Sequence, residues 1–210
     1  MDEKAGEFIE SLYRRKETLT KDEFVRLTEW KDFIPVVDDD VARFLRLVLA
    51  MKKPKRILEI GTSIGYSATN MALAAREYGG RIITLENDPK AAAQARENFR
   101  RAGVDSVAAV REGDALYLLP ALGSGSFDLV FQDADKRLYS RLLPECIRVL
   151  APGGIFLADD ALFPAMDLDE KWQDLVAPME KFDRQVAASP ELVSTLLPIG
   201  DGLICAVKKD

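Results

Sequence analysis

The stretch ILEIGTSIGYSA, residues 57 to 68, decides the fold. Its opening ILEI has strand character and the residues from Ser67 onward turn helical, so a strand hands over to a helix through the turn from Gly61 to Gly65. The two glycines bracket that turn, where a missing Cβ permits unusual dihedrals and lets a ligand approach the backbone. Ser67 stands close to the helix start, where a hydroxyl and free N–H groups can hold a carboxylate. Counted from Glu59 the spacing is E-x-G-x-x-x-G. A dinucleotide fingerprint would read G-x-G-x-x-G, and residue 63 is serine, which gives less reason to place a pyrophosphate here.

Working outward, the same strand-to-helix alternation repeats. RILEI (56–60), RIITLE (81–86), VAAVR (107–111), FDLVFQD (127–133) and GIFLAD (154–159) read as buried parallel strands. Residues 67–78, 89–102, 114–122 and 138–149 carry apolar positions at helical spacing, with Pro89 in a first turn and Gly103 just past an end. This predicts an α/β fold: a doubly wound, Rossmann-like, mostly parallel sheet with right-handed crossovers and helices on both faces. ELVSTLLPI and GLICAVKK flank Gly200-Asp201-Gly202, so the last two of seven strands should form an antiparallel hairpin. Helical patterns at 3–16, 21–30 and 39–51 precede the sheet. The expectation is one domain over 1–210, with 1–53 as a helical cap and 54–210 as the cofactor-binding core. AMDLDEKWQDLVAPMEKF (165–182) reads as one amphipathic helix, with Trp172 and Phe182 as core or lid residues.

Composition restricts the chemistry. The 210 residues are 48% hydrophobic and 30% charged, as in soluble globular proteins. No apolar stretch approaches the roughly 20 residues needed to span a bilayer, and the acidic start MDEKAGEF is unlike a signal peptide, so a cytoplasmic protein without a membrane partner is expected. There are no histidines. His-based triads and HExxH zinc sites are thereby excluded, and a general base must come from Lys, Asp, Glu, Tyr or Cys. Cys146 and Cys205 lie in apolar surroundings and read as free buried thiols. The net charge of -6 argues against a nucleic-acid partner.

A doubly wound sheet binds its ligand beyond the carboxyl ends of its strands. Glu86 ends the second strand, where an acid can accept both hydroxyls of a ribose, and Asp114 follows the third, where a carboxylate can accept from an adenine amino group while Ala115 leaves room for the ring. Taken singly, Glu86 reads equally as a solvated strand-end charge and Asp114 as a helix cap. Their joint order with Glu59 and the glycines describes a nucleoside pocket with a carboxylate-bearing tail, which suits S-adenosylmethionine (SAM) better than NAD.

The fourth strand ends in FQDADKRLY (131–139), and the fifth in ADDALFP (158–164). Together with KRILEIGTSIGYSA, IITLENDP, EGDAL and the closing PIGDGLICAVK, these motifs resemble the class I SAM-dependent O-methyltransferases of the catechol and caffeoyl-CoA type, in the metal-dependent branch. IPVVDDDVARFLRLVL also resembles a helix-bearing segment of that family. The resemblance implies that Thr62 joins Glu59, Gly61, Gly65, Ser67, Glu86, Asp114 and Ala115 at the cofactor, with Val37 and Pro35 packing beside the methyl donor. It implies that Asp133, Asp159 and Asp160 hold a divalent cation, Mg²⁺ first and Ca²⁺ or Mn²⁺ as alternatives, with Asp133 also near the cofactor and Asp135 contacting the cofactor amino group. Lys136 is then the general base, its neutral form favoured by the cation and by partial burial. Tyr139 reads as packing. One departure stands out: the family pattern has Asp-Asn after the fifth strand, and this chain has Asp159-Asp160, so Asp160 either coordinates the cation or supports the residues that do.

The implied acceptor is a small catechol-like aromatic. The chain also resembles the bacterial tRNA 5-hydroxyuridine methyltransferases, whose acceptor presents a similar bidentate edge, so tRNA is the alternative. A cofactor-binding regulator without chemistry is the second alternative. The amphipathic N-terminal helices resemble those that pair subunits or cover acceptors in this family, so a homodimer is one of two arrangements they allow.

Overall fold

The computed structural model describes residues 3–13, 19–33 and 35–210. Its seven strands are β1 (Arg56–Ile60), β2 (Arg81–Glu86), β3 (Ala108–Glu112), β4 (Phe127–Gln132), β5 (Leu150–Ala158), β6 (Leu192–Leu197) and β7 (Leu203–Lys208). They form one sheet in the order β3-β2-β1-β4-β5-β7-β6, parallel from β3 to β5, with β7 antiparallel to both β5 and β6. The chain moves outward from β1 to β2 and β3, then returns to place β4 on the other side of β1. That reversal opens the sheet at the carboxyl ends of β1 and β4, the place where such sheets receive ligands.

The helices are α1 (Glu3–Tyr13), α2 (Lys21–Leu27), α3 (Asp39–Lys52), α4 (Tyr66–Arg76), α5 (Pro89–Arg101), α6 (Ala115–Leu118), α7 (Tyr139–Val149) and α8 (Val176–Ala187). Both sheet faces are covered. Ile57 of β1 packs into a core with Leu45, Leu49 and Met71 from α3 and α4, whereas Leu58 and Ile60 point the other way, into a core with Leu142, Cys146, Met179 and Phe182. This two-sided burial is why the strands read as nearly continuous apolar runs. Each fully buried aliphatic or aromatic side chain contributes about 1.5–3 kcal/mol.

Local chemistry moves several boundaries. The helix expected at 67–78 stops at Arg76, and the chain turns over Gly79 and Gly80, the former at φ 73. The helix expected at 114–122 is one turn, α6, followed by a 3₁₀ turn at Leu119–Ala121 that contains Pro120. The amphipathic segment 165–182 is not one helix: a 3₁₀ helix at Glu170–Leu175 precedes α8, Phe182 is fully buried, and Trp172 is only partly covered, with the Lys171 ammonium 5.2 Å from its ring centroid. The fifth strand begins earlier than expected, at Leu150. α2 ends at Leu27, not at residue 30, and residues 14–16 of the first expected helix, like Ile34, lie outside the described residues.

Buried and half-buried hydrogen bonds join the N-terminal elements to the core. Asn98 Nδ2 donates to Thr28 Oγ1 (3.1 Å) and to the Ile64 carbonyl (2.8 Å), Trp30 N donates to Gln94 Oε1 (3.0 Å), and the Tyr66 hydroxyl donates to Asp39. The β6–β7 turn is held as firmly. A Cβ on Gly202 would lie 2.4 Å from Leu162 N, so glycine is what lets this turn approach the loop after β5. Ala161 N then donates to Gly202 O (2.9 Å), Leu162 N to Asp201 O (2.8 Å), and Gly200 N to Asp40 Oδ2 (2.9 Å). Among the described residues no helix is long and apolar enough to cross a membrane.

Candidate active site

The turn after β1 forms a polar floor. Gly61 and Gly65 have φ 93 and 84, and a Cβ on Gly61 would fall 2.0 Å from the Asp133 carbonyl oxygen, one on Gly65 2.7 Å from the Phe99 ring. These glycines therefore serve protein packing: the first lets the end of β1 meet the end of β4, the second lets α4 start against α5. Glu59 is fully buried and accepts from Ser67 Oγ (2.5 Å) and from Thr84 Oγ1, whose hydroxyl also meets Thr62 Oγ1. Burial pushes the Glu59 carboxyl up to about 8, against the lowering effect of those two hydroxyls. Glu86 Oε2 accepts from Thr62 N (3.1 Å) and Ser63 N (2.8 Å), and Oε1 from Asp88 N (2.9 Å). The strand-end acid thus clamps the glycine turn to β2.

Other expected cofactor residues act first on their own backbone. Asp114 caps α6 by accepting from Leu116 N (2.8 Å), with Ala115 the first residue of that helix. Asp135 caps the 3₁₀ turn Lys136–Leu138 through Arg137 N (3.0 Å) and pairs with the Arg137 guanidinium (3.1 Å), its side chain 49% exposed. Arg137 extends that pair to Asp174 (2.5 Å). Val37 is buried in the core beside α3, and Pro35 is exposed.

Asp133 follows β4, and Asp159 and Asp160 follow β5, at neighbouring strand ends because Gln132 pairs with Ala158. Between them sits Lys136, only 8% exposed. Its Nζ donates to Asp133 Oδ1 (2.8 Å) and Tyr139 OH (3.1 Å) and lies 2.7 Å from Asp160 Oδ2. An ammonium has three protons, and all three are engaged. Burial alone would favour the neutral amine, but Asp133, Tyr139 and Asp160 outweigh it and hold the Lys136 ammonium well above its ordinary range. Asp160 adopts φ 62, and burial pushes its carboxyl up to about 6 although Lys136 opposes the shift. Burial, Asp133 and Asp160 also raise Asp159 well above the usual carboxylate range. Asp159 is 4% exposed, and its Oδ1 has no hydrogen-bond partner.

Two of the three carboxylates expected around a cation are turned onto Lys136. Among the described residues no group of three or more acids, thiols or imidazoles is arranged to hold a metal. Tyr139, read from sequence as packing, does more than pack. Its hydroxyl donates to Gln132 O (3.0 Å) and accepts from Lys136, while its ring meets Phe182 edge-on at 4.9 Å. The signal was its place three residues after Lys136, one turn along. Thr84 was also missed, although it is the one polar residue inside RIITLE.

Residues 12–209 match the sequence model of a family described as O-methyltransferase. The chain belongs to the O-methyltransferase family. This O-methyltransferase is 37% identical over 182 residues to a catechol O-methyltransferase from Niastella koreensis, with 82% of each chain covered. Among solved structures it is similar to the O-methyltransferase from Bacillus cereus in complex with SAH, at 28% identity and TM-score 0.84, covering 98% of this chain and 97% of that one. It is also similar to TomG from Streptomyces achromogenes in complex with SAM, at 25% identity and TM-score 0.83, covering 99% and 96%.

Proposed function

We propose that this O-methyltransferase moves the methyl group of SAM onto one hydroxyl of a small aromatic vicinal diol, with a divalent cation at the acceptor side. The observation that carries the reading is Lys136: a buried amine at the end of β4, pinned by Asp133, Asp160 and Tyr139 next to the polar floor of β1 and β2.

The floor fits SAM. A carboxylate has about four acceptor positions; Glu86 uses three on backbone N–H groups, which leaves one for a ribose hydroxyl. Glu59, bonded to Ser67 and Thr84, adds a buried acid beneath the turn. Bound SAM supplies an electrophilic methyl on a sulfonium. The acceptor side fits a hard cation through the orphaned Asp159 Oδ1. Asp133, Asp159 and Asp160 would hold it, and its charge would offset the two carboxylates that now keep Lys136 protonated and lower the pKa of an acceptor hydroxyl. The Tyr139 hydroxyl fixes Nζ in place. Lys136, in its neutral form, would take the hydroxyl proton as the oxygen attacks the methyl carbon and the methyl–sulfur bond breaks, the sulfur leaving as a neutral thioether with the bonding pair; the two strand ends supply alignment, a large share of the rate in a two-substrate transfer.

Labelled SAM offered with a panel of catechols and with bulk tRNA, with and without Mg²⁺, tests this. Label on a catechol, lost in EDTA, is expected. Label on tRNA alone would replace the acceptor with a 5-hydroxyuridine, and SAM binding without transfer to anything would favour the regulator.

A further inference from the structure

Gln132, the last residue of β4, is a fully buried amide with Ile60 and Ala158 beside it in the sheet. An apolar side chain of similar volume would fill this place without needing partners, so what the amide adds is direction. Its Nε2 donates to the Tyr139 carbonyl (3.3 Å), and its Oε1 accepts from Cys146 Sγ (3.4 Å), two turns further along α7. A carbonyl only accepts, which fixes the amide nitrogen toward Tyr139 and the amide oxygen toward Cys146. Burial pushes the Cys146 thiol up, so it keeps the proton it donates. The backbone of the same glutamine holds the far end of Tyr139: Gln132 O accepts from the Tyr139 hydroxyl (3.0 Å) and from Asp159 N (3.2 Å). One residue thus grips Tyr139 at both its carbonyl and its hydroxyl. The first turn of α7, which carries Tyr139, needs this outside hold because Pro144 inside the helix has no N–H to give the Ser140 carbonyl. A hydroxyl has one proton, and that of Tyr139 goes to Gln132 O. An oxygen lone pair therefore faces Lys136 Nζ at 3.1 Å.

We propose that Gln132, with the Cys146 thiol behind it, is a positioning residue for the methyl transfer: through Tyr139 it sets where the Lys136 nitrogen stands and which way its lone pair points. The inference rests on the reading of Lys136 as the base. An amine that donates an N–H to the Tyr139 oxygen keeps its own lone pair turned away from Tyr139 and open to an acceptor hydroxyl. A Tyr139 hydroxyl released from Gln132 O would rotate, donate to that lone pair and occupy the base. Gln132 is fully buried and presents no surface to cofactor or acceptor, so its loss should slow the transfer without weakening either binding step.

The test uses the full chain with SAM, Mg²⁺ and unsubstituted catechol, and Gln132→Met, which keeps the length of the side chain and removes both of its bonds. The expected result is a fall in kcat of about 10-fold, with KM for catechol and the affinity for SAM unchanged. Cys146→Ala should lower kcat by a smaller factor, about 3-fold, and Cys146→Ser, which still donates to Oε1, should restore it. Because Gln132 acts through the Tyr139 hydroxyl, Gln132→Met should cost nothing further in a Tyr139→Phe background. The infrared S–H band of Cys146, identified by its loss in Cys146→Ser, should move to higher frequency in Gln132→Met as the thiol loses its acceptor. Wild-type kcat in a folded Gln132→Met variant overturns the inference, as do losses that multiply in the double variant or an S–H band that does not move. If Gln132→Met does not fold, Cys146→Ala against Cys146→Ser decides by kcat, and equal rates in the two overturn the inference. Lys136→Met run alongside separates the two readings. Full turnover in Lys136→Met, or no turnover of catechol by the wild type, overturns the proposed function and this inference with it, whereas a dead Lys136→Met beside a fully active Gln132→Met overturns this inference alone.

Discussion

Lys136 Nζ and Asp160 Oδ2 lie 2.7 Å apart, each at the end of a different strand and each shielded from water. The pair makes the lysine a strong proton holder in the protein as it stands. Its proposed use as a base therefore depends on what else Asp160 and Asp133 are holding. Asp160→Asn removes one of the two carboxylates that raise the Lys136 ammonium, so the neutral amine should be populated at lower pH. The expected outcome is a rising limb of kcat against pH displaced toward acid, measured at saturating substrates.

Lys136 itself separates proton transfer from charge. Lys136→Met keeps much of the stem packing and removes the acceptor, and a fall in kcat of about 10² to 10⁴ fold is expected. Lys136→Arg should be nearly as damaging because a guanidinium stays protonated. Wild-type-like turnover in the arginine variant would remove Lys136 as the base.

Asp159 carries a trade between stability and activity. Its carboxyl is buried beside Asp133 and Asp160 with one oxygen lacking any partner, which costs the protein stability, so Asp159→Asn should raise the melting temperature in EDTA; on the proposed cation site the variant should also show no Mg²⁺-dependent turnover and no rise in melting temperature with Mg²⁺. Scanning calorimetry with and without Mg²⁺ reads both effects. A variant that melts lower in EDTA would contradict the account.

Glu59 gives a pH signature of its own. Its carboxyl is raised from an ordinary value near 4.5 to about 8, so the folded protein binds this proton more tightly than the unfolded chain. Stability from this group is complete below the unfolded value and is lost as pH rises from there through about 8. Glu59→Gln is neutral throughout. The variant should therefore lose less melting temperature than the wild type between pH 5 and pH 8, a window in which about 3–4 kcal/mol is at stake.

Glu86→Ala should weaken SAM binding by about 2–4 kcal/mol in calorimetry, since it removes a charged acceptor and frees the N–H groups of Thr62, Ser63 and Asp88. Unchanged affinity would place the nucleoside elsewhere.

The sheet was legible because its strands are buried on both faces, so RILEI, RIITLE and FDLVFQD announce themselves as apolar runs without any partner in view. Helix ends were legible where a residue acts on its immediate neighbours, as Asp88 does with Lys90 N at the start of α5. They were not where proline or a 3₁₀ turn intervened, as at Pro120. The acids at the strand ends could be located, but not what they bind. Asp114 and Asp135 spend their carboxylates on N–H groups two residues on, a local bond that competes with any ligand and that spacing alone cannot rank. Tyr139 was visible as an aromatic and invisible as a partner of Lys136. The approach of the turn at Gly200–Gly202 to Asp40 and to Ala161 and Leu162 had no sequence signal, because it is made by the packing of one turn against two distant segments.

That packing sets an order of assembly. The polar floor draws on residues 59 to 86, so its hydrogen bonds close short loops and can form as soon as β1, α4 and β2 have met. The Gly200–Asp40 bond spans 160 residues, and Gly202 must reach Leu162 before Asp201 is in place. Long loops close late, after the intervening chain has compacted. A polypeptide emerging from the ribosome would thus close the hydrogen bonds of its glycine turn well before the final hairpin arrives to fasten the loop after β5 to the start of α3.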